Sequence, residues 1–150
     1  DLQSFDPTRP LEDLVELANL DERNAREIQV RLSIQPNVQL VADQRFFQRA
    51  VENLLRNAVR HAQRKVHLEV TQDDTHVPVA IHDDGPGIPV HLREHVLMPF
   101  VRLEADRSRD TGGAGLGLAI VARILERHKG HLTIDDSSMG GVQITASWLK

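Results

Sequence analysis

Asp43-Gln44-Arg45-Phe46-Phe47-Gln48-Arg49-Ala50-Val51-Glu52-Asn53-Leu54-Leu55-Arg56-Asn57-Ala58-Val59-Arg60-His61-Ala62 is the stretch on which the fold turns. Phe47, Val51, Leu54, Leu55, Ala58 and Ala62 recur on one stripe, and Asp43 stands ready as the N-cap, so the segment reads as one long amphipathic helix. A single apolar stripe buries a single face, and that face needs a surface to lie on. The flanking chain supplies one, because its apolar residues change period from 3.6 to 2.

Before the helix, Ile28, Val30, Leu32 and Ile34 alternate with polar residues, Pro36-Asn37 breaks the run, and Val38 to Val41 resumes it: two short strands joined by a turn. After it, Val66, Leu68 and Val70 alternate, Gln72 to His76 turns the chain, and Val77, Val79 and Ile81 alternate again, as an antiparallel hairpin requires. His131 to Asp135 and Val142 to Trp148 form a last pair, joined through Met139-Gly140-Gly141. Two further helices are expected, a short one over Leu11 to Ala18 and one from about Gly115 to Arg127 closed by Gly130 in the C′ role. Phe100 to Gly113 is rich in arginine and aspartate without an apolar period, which predicts a loop. Strands interrupted by single helices imply an α+β fold, with helices on one face of a mixed sheet.

Composition narrows the function. A chain of 150 residues with 40% hydrophobic content fits one domain. The net charge of −4, from 22 acidic and 18 basic residues, gives no field for a nucleic-acid backbone. The absence of cysteine removes disulfides, thiolate metal sites and thiol nucleophiles. The longest apolar stretch, Leu116 to Leu125, is cut by Gly117 and Arg123 and falls short of the ~20 residues that span a bilayer. A first residue of Asp1, with neither initiator methionine nor leader pattern, points to an excised fragment.

Three groups of residues carry candidate chemistry. On the long helix, Asn53, Asn57, Arg60 and His61 fall within roughly 100° of arc, a polar edge beside the apolar stripe. Carboxamide oxygens are hard ligands suited to Mg²⁺, and the arginine and histidine can reach phosphate or a base; a plain solvated face is the competing reading. Asp83 ends a predicted strand and is followed by Asp84-Gly85-Pro86-Gly87-Ile88, where glycine allows a backbone to approach a ligand, although an ordinary Asp-Gly turn reads the same way. Gly112-Gly113-Ala114-Gly115-Leu116-Gly117 runs into a helix, whose free N–H groups can hold phosphate. No Gly-Lys-Ser/Thr follows it, so it is not a P-loop, and no His-Glu-x-x-His metal motif exists.

Taken in order, Asn53 to His61, Asp83-Asp84-Gly85-Pro86-Gly87-Ile88, Pro99-Phe100-Val101-Arg102 and Gly113 to Val121 resemble the N box, first glycine box, F box and second glycine box of bacterial sensor histidine kinases. That family belongs with gyrase, MutL and the large heat-shock chaperone. The resemblance covers Leu11 to Trp148 and implies a two-layer α/β sandwich: a mixed, mostly antiparallel sheet covered on one face by about three helices, with an ATP-lid loop over Val101 to Gly113. It divides the chain into a leading segment, 1–10, from a preceding dimerisation domain, and a catalytic ATP-binding domain, 11–150.

By the same resemblance the domain binds ATP and Mg²⁺ and phosphorylates a histidine on the dimerisation domain of its own parent protein. Asn57 is then the metal ligand, Asn53 and Arg60 lie on the phosphate side, and His61 sits against adenine. Asp83 reads the adenine amino group, with room from Gly85 and Gly87. Arg107 contacts the γ-phosphate, with Arg102 and Arg109 nearby, while Gly113, Gly115, Leu116 and Gly117 form the lid hinge and phosphate-facing helix start. Asn53 and Arg107 are the expected catalytic pair. Asp84 and Ala114 depart from the asparagine and threonine frequent in the family. No acceptor box of the His-Glu/Asp-Leu-Arg-x-Pro type is present, and Asn53 stands where the related hydrolases hold a glutamate base, which implies slow hydrolysis and transfer elsewhere. The parent is expected to be an inner-membrane sensor with this domain in the cytoplasm, monomeric alone and addressing a response regulator indirectly. A regulatory nucleotide-binding module and a chaperone- or topoisomerase-like ATPase fragment are the alternatives.

Overall fold

In the computed structural model, which describes residues 1–21, 26–93 and 117–150, three helices lie on one seven-stranded sheet. The helices are α1 (Thr8–Leu20), α2 (Gln44–His61) and α3 (Gly117–Arg127). The strands are β1 (Gln3–Phe5), β2 (Gln29–Ile34), β3 (Leu40–Ala42), β4 (Lys65–Val70), β5 (His76–Asp83), β6 (His131–Asp136) and β7 (Val142–Leu149). They run in the order β1-β3-β7-β5-β4-β2, with β6 also paired to β7. Only β2 with β4 is parallel; the other pairings among the described residues are antiparallel. The expected α+β sandwich, with a mixed and mostly antiparallel sheet, is the fold observed.

Alternation decides which face is covered. Val66, Leu68 and Val70, Val77, Val79 and Ile81, and Val142, Ile144, Ala146 and Trp148 all join one core with Phe47, Val51, Leu54 and Leu125 of the helices. Phe47 sits at its centre, edge-on to Phe5 (5.4 Å) and to Trp148 (5.0 Å), so one ring ties β1, α2 and β7 together. The strand Gln3–Phe5 comes from the leading segment 1–10, whose polar sequence gave no strand signal; a three-residue edge strand is too short for one.

The two strands expected on either side of Pro36-Asn37 are present but do not pair with each other. β2 lies at one edge beside β4, whereas β3 lies between β1 and β7 near the other. The chain turns at Asn37 (φ 60°) between them, and β3 forms its ladder with β1 instead.

α2 begins where the sequence puts it. The Asp43 carboxylate accepts the Arg45 N–H at 3.0 Å. The Asp43 N–H in turn donates to His128 Nε2 (3.2 Å), while His128 Nδ1 lies 2.7 Å from the Ile124 carbonyl, so a buried imidazole joins the start of α2 to the end of α3.

The stop of α3 differs from expectation by one residue. Gly130 does not occupy the left-handed C′ position; Lys129 does, at φ 57°. Gly130 follows as C″: its N–H bonds the Leu125 carbonyl (2.8 Å) and the Lys129 N–H bonds that of Glu126 (3.3 Å), the two closures of a Schellman stop. Glycine is needed at 130 for another reason, since a Cβ there would collide with the Ser147 carbonyl oxygen of β7. Relieving the left-handed lysine should therefore help: Lys129→Gly is expected to raise stability by roughly 0.5–1 kcal/mol, read as a higher urea midpoint at unchanged slope.

Candidate functional site

The site grows from the C-terminal half of α2. Asn57 points inward and is only 9% exposed. Its Oδ1 accepts from Arg60 Nη2 at 3.3 Å, while its Nδ2 is buried with no hydrogen-bond partner among the described residues. A buried amide donor without a partner among the described residues, on the same carboxamide as a hard oxygen acceptor, is an arrangement that a bound ligand can complete. His61 Nδ1 lies 2.8 Å from the Asn57 carbonyl, which fixes the ring one turn along. Asn53, one turn earlier, donates to the Arg49 carbonyl (2.9 Å) and leaves its Oδ1 facing the start of α3, 3.9 Å from where a Cβ on Gly117 would stand. The polar edge of α2 thus meets the glycine end of α3.

This helix end is held from outside. Arg26 donates to the carbonyls of Val59 (2.7 Å), Arg60 (2.9 Å) and Ala62 (2.7 Å), satisfying acceptors that the last turn leaves open. Nothing in the sequence near Arg26 announces that role, because the contact spans more than thirty residues.

Asp83 closes the other side. It is 1% exposed, and its Oδ1 accepts the N–H groups of Gly85 (2.9 Å) and Val142 (3.3 Å). Oδ2 accepts no hydrogen bond among the described residues. Burial pushes the carboxyl above its ordinary range; the two N–H donors and the nearby His61 pull the other way without cancelling it, and Asp84 adds repulsion. A Cβ on Gly85 would collide with the His61 carbonyl oxygen, so glycine here lets the Asp83 loop close on the end of α2. Gly87 takes φ 79°, a left-handed turn that suits glycine.

Asp84, a departure from the family pattern, has a structural use. Its carboxylate accepts the backbone N–H groups of Gln63 (2.8 Å), Arg64 (3.1 Å) and Lys65 (3.4 Å), pinning the turn after α2 to the Asp83 loop. Desolvation opposes the charge, but the donors of Arg64, Gln63 and Lys65 outweigh it and hold the carboxyl below its ordinary value of 3.8. A lowered acid stabilises the fold above its unfolded value and loses that contribution as pH falls through the folded one. Asp84→Ala should therefore cost about 1–2 kcal/mol at neutral pH, and the difference from wild type should vanish in urea titrations on going well below pH 3.8.

Sequence reasoning also missed the third wall. Gly141 N–H donates to the Asp83 carbonyl (3.1 Å), and a Cβ on Gly141 would stand 2.6 Å from that oxygen and 2.7 Å from Gly85 N. The available signal was the doubled glycine: Gly140 (φ 105°) already serves the turn, so Gly141, with no such φ, needed a close neighbour to explain it. Asn53, Asn57, Arg60, His61, Asp83, Gly85, Gly87 and Gly117 are thus assembled around α2, the 83–87 loop and the start of α3. Arg102, Arg107, Arg109, Gly113, Gly115 and Leu116 lie outside the described residues, as do the expected lid and the F box.

Residues 42–150 match the family model described as histidine kinase-, DNA gyrase B-, and HSP90-like ATPase. The chain belongs to that family. Among curated proteins of the family it is 42% identical over 106 residues to the sensor protein RstB of Escherichia coli K12, covering 71% of this chain and 24% of that protein. It is 38% identical over 100 residues to the sensor histidine kinase CpxA of the same organism, covering 67% and 22% respectively. The chain thus spans about a quarter of the length of the curated relatives it matches. The solved mycobacterial sensor histidine kinase MprB superposes with a TM-score of 0.82 at 29% identity, covering 99% of this chain and 97% of that one. Within the ATPase family, this is an ATP-binding domain of the sensor histidine kinase type.

Proposed function

We propose that the domain binds ATP with Mg²⁺ and passes the γ-phosphoryl group to a histidine on a separate dimerisation domain of its parent protein. The observation that carries this reading is a pair of buried groups brought to the end of α2 by the close approach of Gly85 to His61: the Asp83 carboxylate, whose Oδ2 accepts no hydrogen bond among the described residues, and the Asn57 carboxamide, whose Nδ2 has no partner among them. The first suits the exocyclic amino group of a purine; the second suits the oxygen-rich surroundings of a metal-bound triphosphate.

Mg²⁺ fits the donor set, because Asn57 Oδ1 is a hard oxygen that accepts, among the described residues, a 3.3 Å contact from Arg60. Asn57 would hold the ion, whose chemistry is to neutralise charge on the phosphate oxygens. Arg60, released from Asn57, would turn its charge to the same oxygens, and His61 would flank the base. Arg107 is assigned to the γ-phosphate, with Arg102, Gly113, Gly115, Leu116 and Gly117 around the phosphate chain. Asn53 favours transfer over hydrolysis, since its amide cannot take a proton from water, so the nucleophile is supplied by the acceptor imidazole. In the transfer the bond from the γ-phosphorus to the bridging oxygen breaks, a phosphorus–nitrogen bond forms, and ADP leaves.

Among the described residues no helix is long and apolar enough to cross a membrane. We place the domain on the cytoplasmic side of a membrane-anchored parent, with segment 1–10 leading from the dimerisation domain and a response regulator downstream of the acceptor histidine.

Calorimetry tests the site. Asn57→Ala is expected to weaken Mg-ATP binding by about tenfold while changing Mg-free ATP affinity little. Equal loss in both conditions would reassign Asn57 to the nucleotide itself. Mixing the domain with a separately prepared dimerisation domain and labelled ATP should then move label onto the acceptor, and failure to do so with binding intact would leave a nucleotide-holding regulator.

A further inference from the structure

The face of the sheet away from the helices carries its own buried polar pair. His82 and Ser137 are each 8% exposed, and His82 Nδ1 lies 2.9 Å from Ser137 Oγ across fifty-five residues of sequence. Ser137 Oγ accepts the Met139 N–H at 3.0 Å and keeps both a proton and a lone pair with which to pair His82 Nδ1, while His82 Nε2 lies 3.5 Å from Glu69 Oε1. The His67 ring stacks beside His82 at 6.0 Å and is itself fixed by Ser33 Oγ at 2.8 Å.

Ser137 opens the turn between β6 and β7. Its N–H donates to the Gly141 carbonyl (2.9 Å), and the Gly140 N–H returns to the Ser137 carbonyl (3.0 Å). The far end of that turn supplies both N–H groups that hold Asp83 from β7, Gly141 to the carbonyl and Val142 to Oδ1. His82 precedes Asp83 on β5, and alternation sends the two side chains to opposite faces. The strand is therefore gripped on one face by Ser137, while the turn that Ser137 shapes aims the carboxylate on the other.

We propose that His82 and Ser137 form a positioning pair that fixes the orientation of Asp83 toward a purine base, a role that rests on the reading of Asp83 given above. Neither residue touches the nucleotide; they act through the 137–141 turn. The pair bears on the base and leaves the phosphate side alone, since Asn53, Asn57 and Arg60 stand on α2, which the turn does not hold.

The test measures affinity for ATP and for inorganic triphosphate by calorimetry, with the single tryptophan, Trp148, reporting folding. Ser137→Ala and His82→Gln should each weaken ATP binding by about three- to tenfold and leave triphosphate binding unchanged. Ser137→Thr should restore most of the loss, and the double variant should lose no more than the worse single one. Wild-type ATP affinity in a folded Ser137→Ala domain overturns the proposal, as does an equal loss for triphosphate. Failure of both variants to fold makes the pair a structural staple and overturns it too. Asp83→Asn runs alongside: if that variant keeps wild-type ATP affinity, the purine reading itself falls, whereas a large loss there with no effect at Ser137 sinks only the pair.

Discussion

Asp83→Asn should abolish most ATP affinity while leaving the domain at least as stable as wild type. The affinity side follows from exchanging an acceptor for a donor. Oδ1 is committed to the N–H groups of Gly85 and Val142, which an asparagine oxygen can still accept, so the new NH₂ falls at the Oδ2 position, the one that faces the amino group of the base in the purine reading proposed above. Two donors then oppose each other in a buried place, a loss of about 1–3 kcal/mol, or roughly 5- to 150-fold in affinity. The stability side follows from the raised carboxyl. An acid whose folded pKa lies above its unfolded value destabilises the fold progressively as pH rises from the unfolded value to the folded one, and fully beyond it, because ionisation is harder inside than out. The isosteric amide removes that burden above the raised value and gives nothing below the unfolded one. Calorimetry at neutral pH, with urea unfolding followed through Trp148 across pH, reads both halves. A variant that bound ATP normally, or lost affinity only by unfolding, would remove Asp83 from the purine site.

What the sequence disclosed, and what it withheld, divides along the range of the interactions. Helix α2 was legible because its stripe, its cap at Asp43 and its polar edge are all local. The β4–β5 hairpin was legible for the same reason. Strand neighbours were not: alternation at Ile28 to Ile34 and at Val38 to Val41 shows two strands but says nothing about their pairing, and the chain sends them to different parts of the sheet. The site repeats the lesson. Asn57, Asp83 and Gly85 were singled out because a motif places them at fixed spacings, whereas Arg26 and Asp84 act on the backbone of α2 and its following turn from distant positions. Lys129 was missed because glycine was taken to mark the left-handed residue, when Gly130 was needed to pass the Ser147 carbonyl.

Gly141→Ala should be the most damaging single methyl in the described part of the domain, and the two glycines of one turn allow the cause to be isolated. At Gly141 the added Cβ meets Asp83 Oδ1 well inside contact, then the Asp83 carbonyl at 2.6 Å and Gly85 N at 2.7 Å. None of these is the tip of a flexible side chain: two are backbone, and the third is a carboxylate oxygen pinned by two N–H groups. The strand end, the glycine loop and β7 would have to separate, so the cost should reach the upper end of the overpacking range, about 3 kcal/mol. ATP affinity should fall with it, because the same movement withdraws both N–H donors from Asp83. Gly140 offers the contrast, since a Cβ there meets nothing within 4 Å but φ is 105°. Gly140→Ala is therefore expected to cost only backbone strain, about 1–2 kcal/mol, and to bind ATP nearly as wild type does once folded. Urea midpoints and calorimetry on the two variants separate collision from conformation. If Gly141→Ala kept the wild-type midpoint and affinity, the close approach of β7 to Asp83 would not be what shapes the pocket.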